Sequence, residues 1–259
     1  MEESAVKSNY FVVQYEPGAE HPALPTWGNR QENVAALAEI KPGGISKKML
    51  TEVPGAFQLL NVLTPDECKR LISASESMGF LPDAAVSLPR SVRHNDSLTW
   101  VVDNTTERLI WNRIQALMTD DGGIFEGKAA LGLNNRFRFY RYNPGDYFKP
   151  HSDGSWPGSQ VLDDQLVHDA FGDRYSQLTF LILLTEDFEG GATRFLVNAD
   201  HPDKPAKRGD NVRQIDVRTP AGSVLCFPHG MHPLHCIHSS EPILSGVKYI
   251  IRSDVLFEL

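Results

Sequence analysis

The sequence predicts an α+β protein in which helices precede an antiparallel β half. Amphipathic helical patterns cover about residues 65–78 and 106–118. Beyond residue 132 the hydrophobic period changes from helical to two, in segments separated by turn residues. The length of 259 residues, of which 41% are hydrophobic, suits one large domain with a substantial core. We therefore expect two helices that brace an antiparallel sheet from one side.

The first helix carries a strong N-terminal signal. Thr64 suits the N-cap, Pro65 the first turn and Glu67 the reciprocal position of a capping box. An apolar face follows, and Gly79 lies where the pattern stops. These features predict a helix over 65–78.

Five segments are predicted to be strands, and they are 136–142, 178–184, 192–197, 223–227 and 247–257. Segment 178–184 is apolar at nearly every position, which is typical of a strand covered on both faces. Segment 136–142 instead alternates phenylalanine with arginine and tyrosine, so one of its faces should point into a polar region.

The chain before the first helix lacks sustained periodicity. Turn-prone proline and glycine clusters occur throughout residues 1–52, so we expect an irregular lead-in segment there. A single domain is then expected over 53–259, with helical support at about 57–118. Two long polar connections, 154–175 and 198–212, are candidates for lids or binding loops.

The net charge and the cysteine content indicate which binding partners and which cellular compartment to expect. The net charge of −8 disfavours nucleic acid and anionic membranes, and no apolar run reaches the length of a membrane span. Three cysteines and the absence of a recognisable targeting signal favour the cytoplasm. The oligomeric state is not indicated.

Metal-binding side chains cluster in two places. His151 and Asp153 flank one residue at the end of a predicted strand, so on extended backbone they point the same way and can hold adjacent positions of a divalent metal. Further on, four histidines lie within ten residues, at 229, 232, 235 and 238. Pro228 and Pro233 argue against a helix there, so these four need not form one cluster.

Three segments, in this order, resemble the iron(II)- and 2-oxoglutarate-dependent dioxygenases, in particular their prolyl 4-hydroxylase-like branch. They are the tyrosine-rich strand ending in His151-x-Asp153, the strand and turn 179–193 with Glu189-Gly190-Gly191-Ala192-Thr193, and His238-x3-Pro242-x3-Gly246-x-Lys248. The resemblance spans about residues 133–257. It implies a double-stranded β-helix (jelly-roll) core, with the helices before it as support.

The resemblance also implies the site. By its spacing to Lys248, His238 becomes the third metal ligand with His151 and Asp153, and the three would hold Fe(II) as catalytic residues. Lys248 would bind the remote carboxylate of the cosubstrate 2-oxoglutarate, with Tyr142 donating a hydrogen bond to it. Thr179 is a further candidate for that pocket. The implied reaction uses O2, hydroxylates an unactivated C–H bond of a peptidyl or small-molecule substrate, and releases succinate and CO2; ascorbate would stimulate it.

The substrate is less closely indicated. Prolyl 4-hydroxylases commonly carry a tryptophan where this chain has Tyr249 and another aromatic residue where it has Asp254, so a proline substrate does not follow from the resemblance. Arg252 and Asp254 share a strand face with Lys248 and are candidates for substrate contact, together with Trp156 in the long connection. An ion pair between Arg252 and Asp254 is the structural alternative.

Three functions remain open on the sequence. The dioxygenase is the leading one. A metal-binding β-barrel that acts as a ligand sensor or interaction module without catalysis is the second, and a zinc hydrolase with similar ligands is the third. Halogenation is disfavoured, because Asp153 occupies the position that a halide would need.

Overall fold

The structure, a computed structural model, describes residues 9–39, 43–85, 88–120 and 122–259. Within these residues it contains two α-helices, α1 (Pro65–Met78) and α2 (Asn104–Ile114), and a 3-10 turn, Gln115–Leu117. The strands, in chain order, are β1 (Tyr10–Glu16), β2 (Leu24–Asn29), β3 (Ser46–Met49), β4 (Phe57–Leu60), β5 (Arg93–His94), β6 (Asp96–Val101), β7 (Ala130–Leu133), β8 (Arg136–Tyr142), β9 (Tyr147–His151), β10 (Gln160–Leu162), β11 (Gln165–Val167), β12 (Arg174–Leu183), β13 (Phe188–Gly190), β14 (Thr193–Asn198), β15 (Val212–Val217), β16 (Val224–Pro228), β17 (Ile237–Ser240), β18 (Ile243–Gly246) and β19 (Lys248–Glu258).

Two sheets form the body of the molecule. Among the described residues the larger has ten strands in the order β1-β2-β6-β8-β19-β12-β16-β4-β3, with β7 paired to β19. The smaller has five strands in the order β15-β14-β17-β9-β5. Side chains of both sheets meet in one apolar cluster, which includes Tyr140, Leu181, Phe195 and Ile250. The two sheets therefore pack face to face as a jelly roll.

The opposite face of the large sheet packs on the helices. Leu71 of α1 and Ile110 of α2 lie in a second apolar cluster with Phe139 of β8 and Phe180 of β12. Strand β12 contributes alternate residues to the two clusters, which confirms that it is covered on both faces. Strand β8 likewise turns Phe137 and Phe139 to the helices and Arg138, Tyr140 and Tyr142 to the other side, as its alternation predicted, whereas Arg141 lies on the helix side and pairs with Glu76 of α1.

The two helices occupy the predicted places. Thr64 and Glu67 make the reciprocal hydrogen bonds of a capping box, and α1 covers the predicted residues. Helix α2 begins two residues before the predicted start at 106, because the Asp103 carboxylate accepts a hydrogen bond from the Thr106 amide. In the described part of the chain, no helix is both long and apolar enough to span a membrane.

The prediction of an irregular segment over residues 1–52 is wrong for the part that the structure describes. Strands β1 and β2 extend one end of the large sheet beyond β6, and β3 forms its other edge beside β4. These strands escape periodicity analysis because they are only partly buried, β3 has only four residues, and β2 contains a proline. Ile40 to Pro42, part of one turn-prone cluster, lies outside the described residues.

Candidate metal centre and its cavity

Two strands of the small sheet bring the predicted metal ligands together. His151 ends β9 and lies directly opposite His238 of β17 in the antiparallel pairing. Asp153 follows two residues after His151, where β9 has ended. The three side chains each offer a ligand atom, and these atoms all lie within 4.8 Å of one another. Cross-strand pairing thus joins two motifs that lie far apart in the sequence.

The geometry turns one nitrogen of each imidazole toward the carboxylate. His151 Nε2 lies 3.7 Å from Asp153 Oδ1, and His238 Nε2 lies 3.8 Å from Asp153 Oδ2. The His151 ring is held by stacking on Phe148, with ring centroids 3.6 Å apart. Two imidazole nitrogens and a carboxylate on one side of a shared point form the facial donor set that suits Fe(II).

The other nitrogen of each imidazole faces a backbone carbonyl. His151 Nδ1 lies 2.9 Å from the Lys149 oxygen, and His238 Nδ1 lies 3.4 Å from the Cys236 oxygen. A carbonyl can only accept, so both Nδ1 atoms carry the proton and both Nε2 atoms keep a free lone pair. Metal-binding histidines show this arrangement in general. The chemistry of the donor set therefore fits a divalent metal.

Buried polar side chains hold the Asp153 carboxylate in position. The Thr179 hydroxyl donates to Asp153 Oδ2 at 2.7 Å, and His229 Nδ1 lies 2.9 Å from the same hydroxyl oxygen. The remaining His229 nitrogen contacts the Ser176 hydroxyl at 2.9 Å. Because the Thr179 proton is donated to the carboxylate, His229 Nδ1 must donate to Thr179. Thr179 therefore touches a predicted metal ligand, and its hydroxyl proton is already engaged.

The protonation states suit metal binding. Burial lowers the pKa of His151 to about 3 and also lowers the pKa of His238, so both imidazoles are neutral near neutral pH. Burial by itself would raise the pKa of Asp153, but the nearby Arg252 guanidinium outweighs it and holds that pKa well below its usual range. The group thus presents two neutral nitrogens and one carboxylate.

A cavity lies beside this group. It is lined by fourteen residues, namely Tyr140, Tyr142, Phe148, His151, Asp153, Thr179, Leu181, Thr193, His238, Ser239, Ser240, Lys248, Ile250 and Arg252. All three residues predicted to bind the cosubstrate, Tyr142, Thr179 and Lys248, are among them. A concave site in which several polar groups converge between apolar walls is typical of small-molecule sites.

Lys248 is a buried cation in this cavity. Its ammonium donates to the Gly191 oxygen at 2.7 Å and to the Ser240 hydroxyl at 3.1 Å, and it lies 5.2 Å from the centre of the Tyr142 ring. No carboxylate forms an ion pair with it anywhere in residues 9–39, 43–85, 88–120 or 122–259. Burial, with a smaller contribution from Arg218, lowers the pKa of Lys248 to about 7. Such a lysine gains most from an anionic ligand.

The three residues predicted to contact the substrate lie in different places. Arg252 lines the cavity, with its Nε 3.3 Å from Asp153 Oδ2. Asp254 is fully buried and does not line the cavity; it pairs with Arg252 at 2.8 Å, so an approach lined by Asp254 is wrong and the ion-pair alternative holds. Trp156 lies outside the cavity, over the Arg138 guanidinium at 5.0 Å. A substrate role for Arg252 or Trp156 stays a prediction.

The other clustered histidines serve the loop between β16 and β17. His232 is buried, and its Nε2 lies 2.6 Å from the Ile124 oxygen. His235 is partly exposed, and its Nδ1 lies 3.2 Å from the His232 oxygen. Only His238 of the four belongs to the metal-binding group found in the described residues.

Sequence reasoning missed two parts of the site. Ser240, which accepts from Lys248, could have been found because it lies two residues after His238 on the same face of a strand. The support of Asp153 by Arg252 and by the pair of Thr179 and His229 depends on which strands are neighbours, and no local pattern carries that information.

The comparisons with known proteins agree with the fold. A prolyl hydroxylase from Trichoplax adhaerens, solved in complex with a peptide fragment of the hypoxia inducible factor oxygen degradation domain, matches with a TM-score of 0.52 at 14% identity. The match covers 79% of this chain and 84% of that one. No family model and no curated protein sequence matches this chain.

Two further solved structures match less closely. A Pseudomonas putida prolyl-4-hydroxylase has a TM-score of 0.48 at 17% identity and covers 78% of this chain and 91% of its own. The viral collagen prolyl hydroxylase of Paramecium Bursaria Chlorella virus-1, in a complex with 2OG, has a TM-score of 0.47 at 17% identity and covers 79% and 96%. The likeness to the Trichoplax enzyme, together with the topology, confirms the fold that the sequence resemblance implies. The chain has an α+β fold with a double-stranded β-helix core and supporting helices.

Proposed function

We propose that this chain is an Fe(II)- and 2-oxoglutarate-dependent dioxygenase. It would hydroxylate an unactivated C–H bond, with O2 as the oxidant and with release of succinate and CO2 from 2-oxoglutarate. The observation that carries the proposal is one cavity that holds both a two-histidine, one-carboxylate group and a buried lysine without a carboxylate partner in the described part of the chain.

Some residues of the chain would bind the metal, and others would bind the cosubstrate. His151, Asp153 and His238 would hold the metal through Nε2, a carboxylate oxygen and Nε2. Bound Fe(II) would supply the redox chemistry by which 2-oxoglutarate and O2 react. Thr179 would keep the Asp153 carboxylate aimed at the metal, since its hydroxyl donates to that group.

Lys248 would fix the remote carboxylate of 2-oxoglutarate. The cation lies at the buried start of β19, and Tyr142 lies directly opposite on β8. An anion here would offset the desolvation of the ammonium, and the Tyr142 hydroxyl would be a second donor to it. The apolar walls, among them Phe148, Leu181 and Ile250, would keep water away from the cosubstrate.

The proposal leaves two substrate classes open. A peptidyl substrate is supported only by analogy, since the Trichoplax prolyl hydroxylase was solved with a peptide fragment. A small molecule is the other possibility. Stimulation by ascorbate belongs to the proposal as an expected property of such enzymes.

Succinate formation tests the proposal directly. The purified chain with Fe(II), ascorbate and 2-oxoglutarate should form succinate slowly even without substrate, and His238→Ala should form none. His235→Ala is the matched control, because this neighbouring histidine lies outside the metal-binding group. The wild type and His235→Ala should also bind Mn(II), whereas His238→Ala should bind it much more weakly.

The alternatives predict other results. A chain that binds metal and 2-oxoglutarate but forms no succinate, even when cell extract is added as a source of substrates, would favour a ligand sensor. Hydrolytic activity that persists with Zn²⁺ and without oxygen would favour a hydrolase. Full activity of His238→Ala would show that the third ligand is wrongly assigned.

A further inference from the structure

A second pocket, called here the Arg138 pocket, lies next to the metal centre and shares no lining residue with the first cavity. Its volume is about 330 Å³, and the residues that matter here are Glu16, Arg136, Arg138, Trp156, His168 and Tyr175. Asp153 and Trp156 are three residues apart, so their Cα atoms lie within about 10 Å of each other. The pocket is therefore close to the candidate metal ligands.

Arg138 is the unusual group in this pocket. It lies on β8 directly opposite Arg252 of β19 and is 5% exposed. In the part of the chain that the structure describes, its guanidinium donates no hydrogen bond. Among the described residues, Asp254 is the one acidic group within ion-pair distance, with its Oδ2 3.5 Å from Nη1. A buried guanidinium without hydrogen bonds is rare in native proteins, and such a group calls for a missing partner.

The two acidic side chains nearby are each hydrogen-bonded to another arginine. Glu16 accepts from Arg136 at 2.5 Å, and Asp254 accepts from Arg252 at 2.8 Å through Oδ1, while its Oδ2 has no hydrogen-bond partner among the described residues. Burial and the nearby Arg252 lower the pKa of Arg138 to about 10, even though Asp254 opposes this change. The positive charge of Arg138 is therefore only partly compensated by the protein.

The surroundings of Arg138 leave room for a flat anion. Trp156 covers one face of the guanidinium, with 5.0 Å between the guanidinium carbon and the ring centre. The N–H groups at the edge of a guanidinium can bind both oxygens of a carboxylate at once. Trp156 is 37% exposed and Tyr175 is 40% exposed, so two aromatic side chains border the pocket and remain accessible.

We propose that the Arg138 pocket binds the carboxylate of a small organic acid that carries a flat apolar group, and that this acid is the substrate class of the enzyme. That the bound acid is a substrate rests on the proposed dioxygenase function, whereas the binding of the acid rests only on the residues of the pocket. The carboxylate pairs with Arg138, the apolar group lies against Trp156 and Tyr175, and the rest of the molecule extends toward the metal centre.

Binding of matched acids and amides tests this site without any turnover. The probes are phenylacetate and N-acetyltryptophan, each compared with its primary amide, and binding to the purified full chain is measured by calorimetry. Each acid should bind about 10- to 100-fold more tightly than its amide, the range expected for a charge-assisted hydrogen bond. Saturating 2-oxoglutarate should not displace the acids, because it would occupy Lys248 in the other cavity.

Variants locate the binding. Arg138→Gln should bind acid and amide equally, whereas Arg208→Gln, at an exposed arginine of a distant loop, should keep the preference. If Arg138→Gln does not fold, Trp156 provides the readout, since its exposed side chain tolerates replacement. Acids should quench tryptophan fluorescence in the wild type and should not do so in Trp156→Phe.

Several results would overturn the proposal. These are equal binding of acids and amides by the wild type, no acid binding at millimolar concentration, displacement by 2-oxoglutarate, or a preference that survives in folded Arg138→Gln. Unchanged quenching in Trp156→Phe would do the same. A capped peptide with an internal Asp that binds more tightly than the small acids would overturn the assignment to a small acid. Failure of the dioxygenase function would appear separately, as wild-type protein that forms no succinate while acid binding persists.

Discussion

Replacement of Lys248 by methionine is expected to stabilise the protein while abolishing its response to 2-oxoglutarate. Methionine has similar length and no charge, so it fills the same space at the start of β19. The protein currently keeps an ammonium in a buried position where burial lowers its pKa from 10.5 to about 7. Folding therefore carries a cost that an apolar side chain would avoid.

The structure gives the size and the pH dependence of this cost. A difference between 10.5 and about 7 corresponds to about 5 kcal/mol at about 1.4 kcal/mol for each pH unit. Below pH 7 both folded and unfolded chains hold the proton and the whole cost applies. Between pH 7 and 10.5 the unfolded chain binds more protons, so wild-type stability rises with pH.

Part of this gain is offset in the variant. Methionine leaves the buried Gly191 oxygen unsatisfied, at a cost of about 1–3 kcal/mol, whereas the Ser240 hydroxyl, which also loses the Lys248 donor, keeps its hydrogen bond with Tyr142. Lys248→Met should therefore be more stable than the wild type by about 2–4 kcal/mol near pH 6. The advantage should vanish, or reverse, above about pH 10.

Denaturant unfolding of both proteins at several pH values measures the difference. Lys69→Met is the control, because its side chain is 77% exposed and its loss should change stability little at any pH. In the same samples 2-oxoglutarate should raise the melting temperature of the wild type and leave that of Lys248→Met unchanged. A variant that is less stable than the wild type at pH 6, or a difference that does not depend on pH, would refute the reasoning.

Two further substitutions test the support of the site and the scaffold. Thr179→Val should weaken Mn(II) binding about 10- to 100-fold, because Asp153 loses its hydroxyl donor. Thr179→Ser keeps the hydroxyl and should bind Mn(II) normally. Equal affinity of the two variants in a metal titration would contradict the positioning role of Thr179. Burial raises the pKa of Glu107 from 4.5 to about 7, so the folded protein loses stability as the pH rises through that interval. Glu107→Gln, which can still accept from the Leu133 amide, should be more stable than the wild type by up to about 3 kcal/mol at pH 8 and equal to it near pH 4, and equal unfolding midpoints at both pH values would count against it.

Local signals in the sequence predict the local structure well. The capping box at Thr64 fixes where α1 begins, and the alternation along β8 and β19 correctly separates the face of Tyr142 and Lys248 from the face on the helices. The i, i+2 spacing of Arg252 and Asp254 correctly suggests an ion pair between them. In each case the interacting groups lie within a few residues of each other.

What the sequence does not predict depends on register between distant strands. The opposition of His151 and His238 comes from the pairing of β9 with β17, and only the family resemblance indicated it. Arg138 contacts Asp254 because β8 and β19 are neighbouring strands, and no pattern within either segment predicts this contact. Strands β1 and β3, at the two edges of the large sheet, were missed for a related reason, since an edge strand is defined by the partner that it finds.

The place of β19 in the large sheet has a consequence for biosynthesis. It is the last strand in chain order, yet it lies between β8 and β12 in the middle of the sheet. As the chain leaves the ribosome, the strands on the two sides of this gap cannot be joined, and the facing edges of β8 and β12 stay open to other chains. Both Lys248 and Arg252 arrive with the same strand. Completion of the sheet and assembly of the cavity are therefore a single late event, and a nascent chain that stops short of β19 has neither.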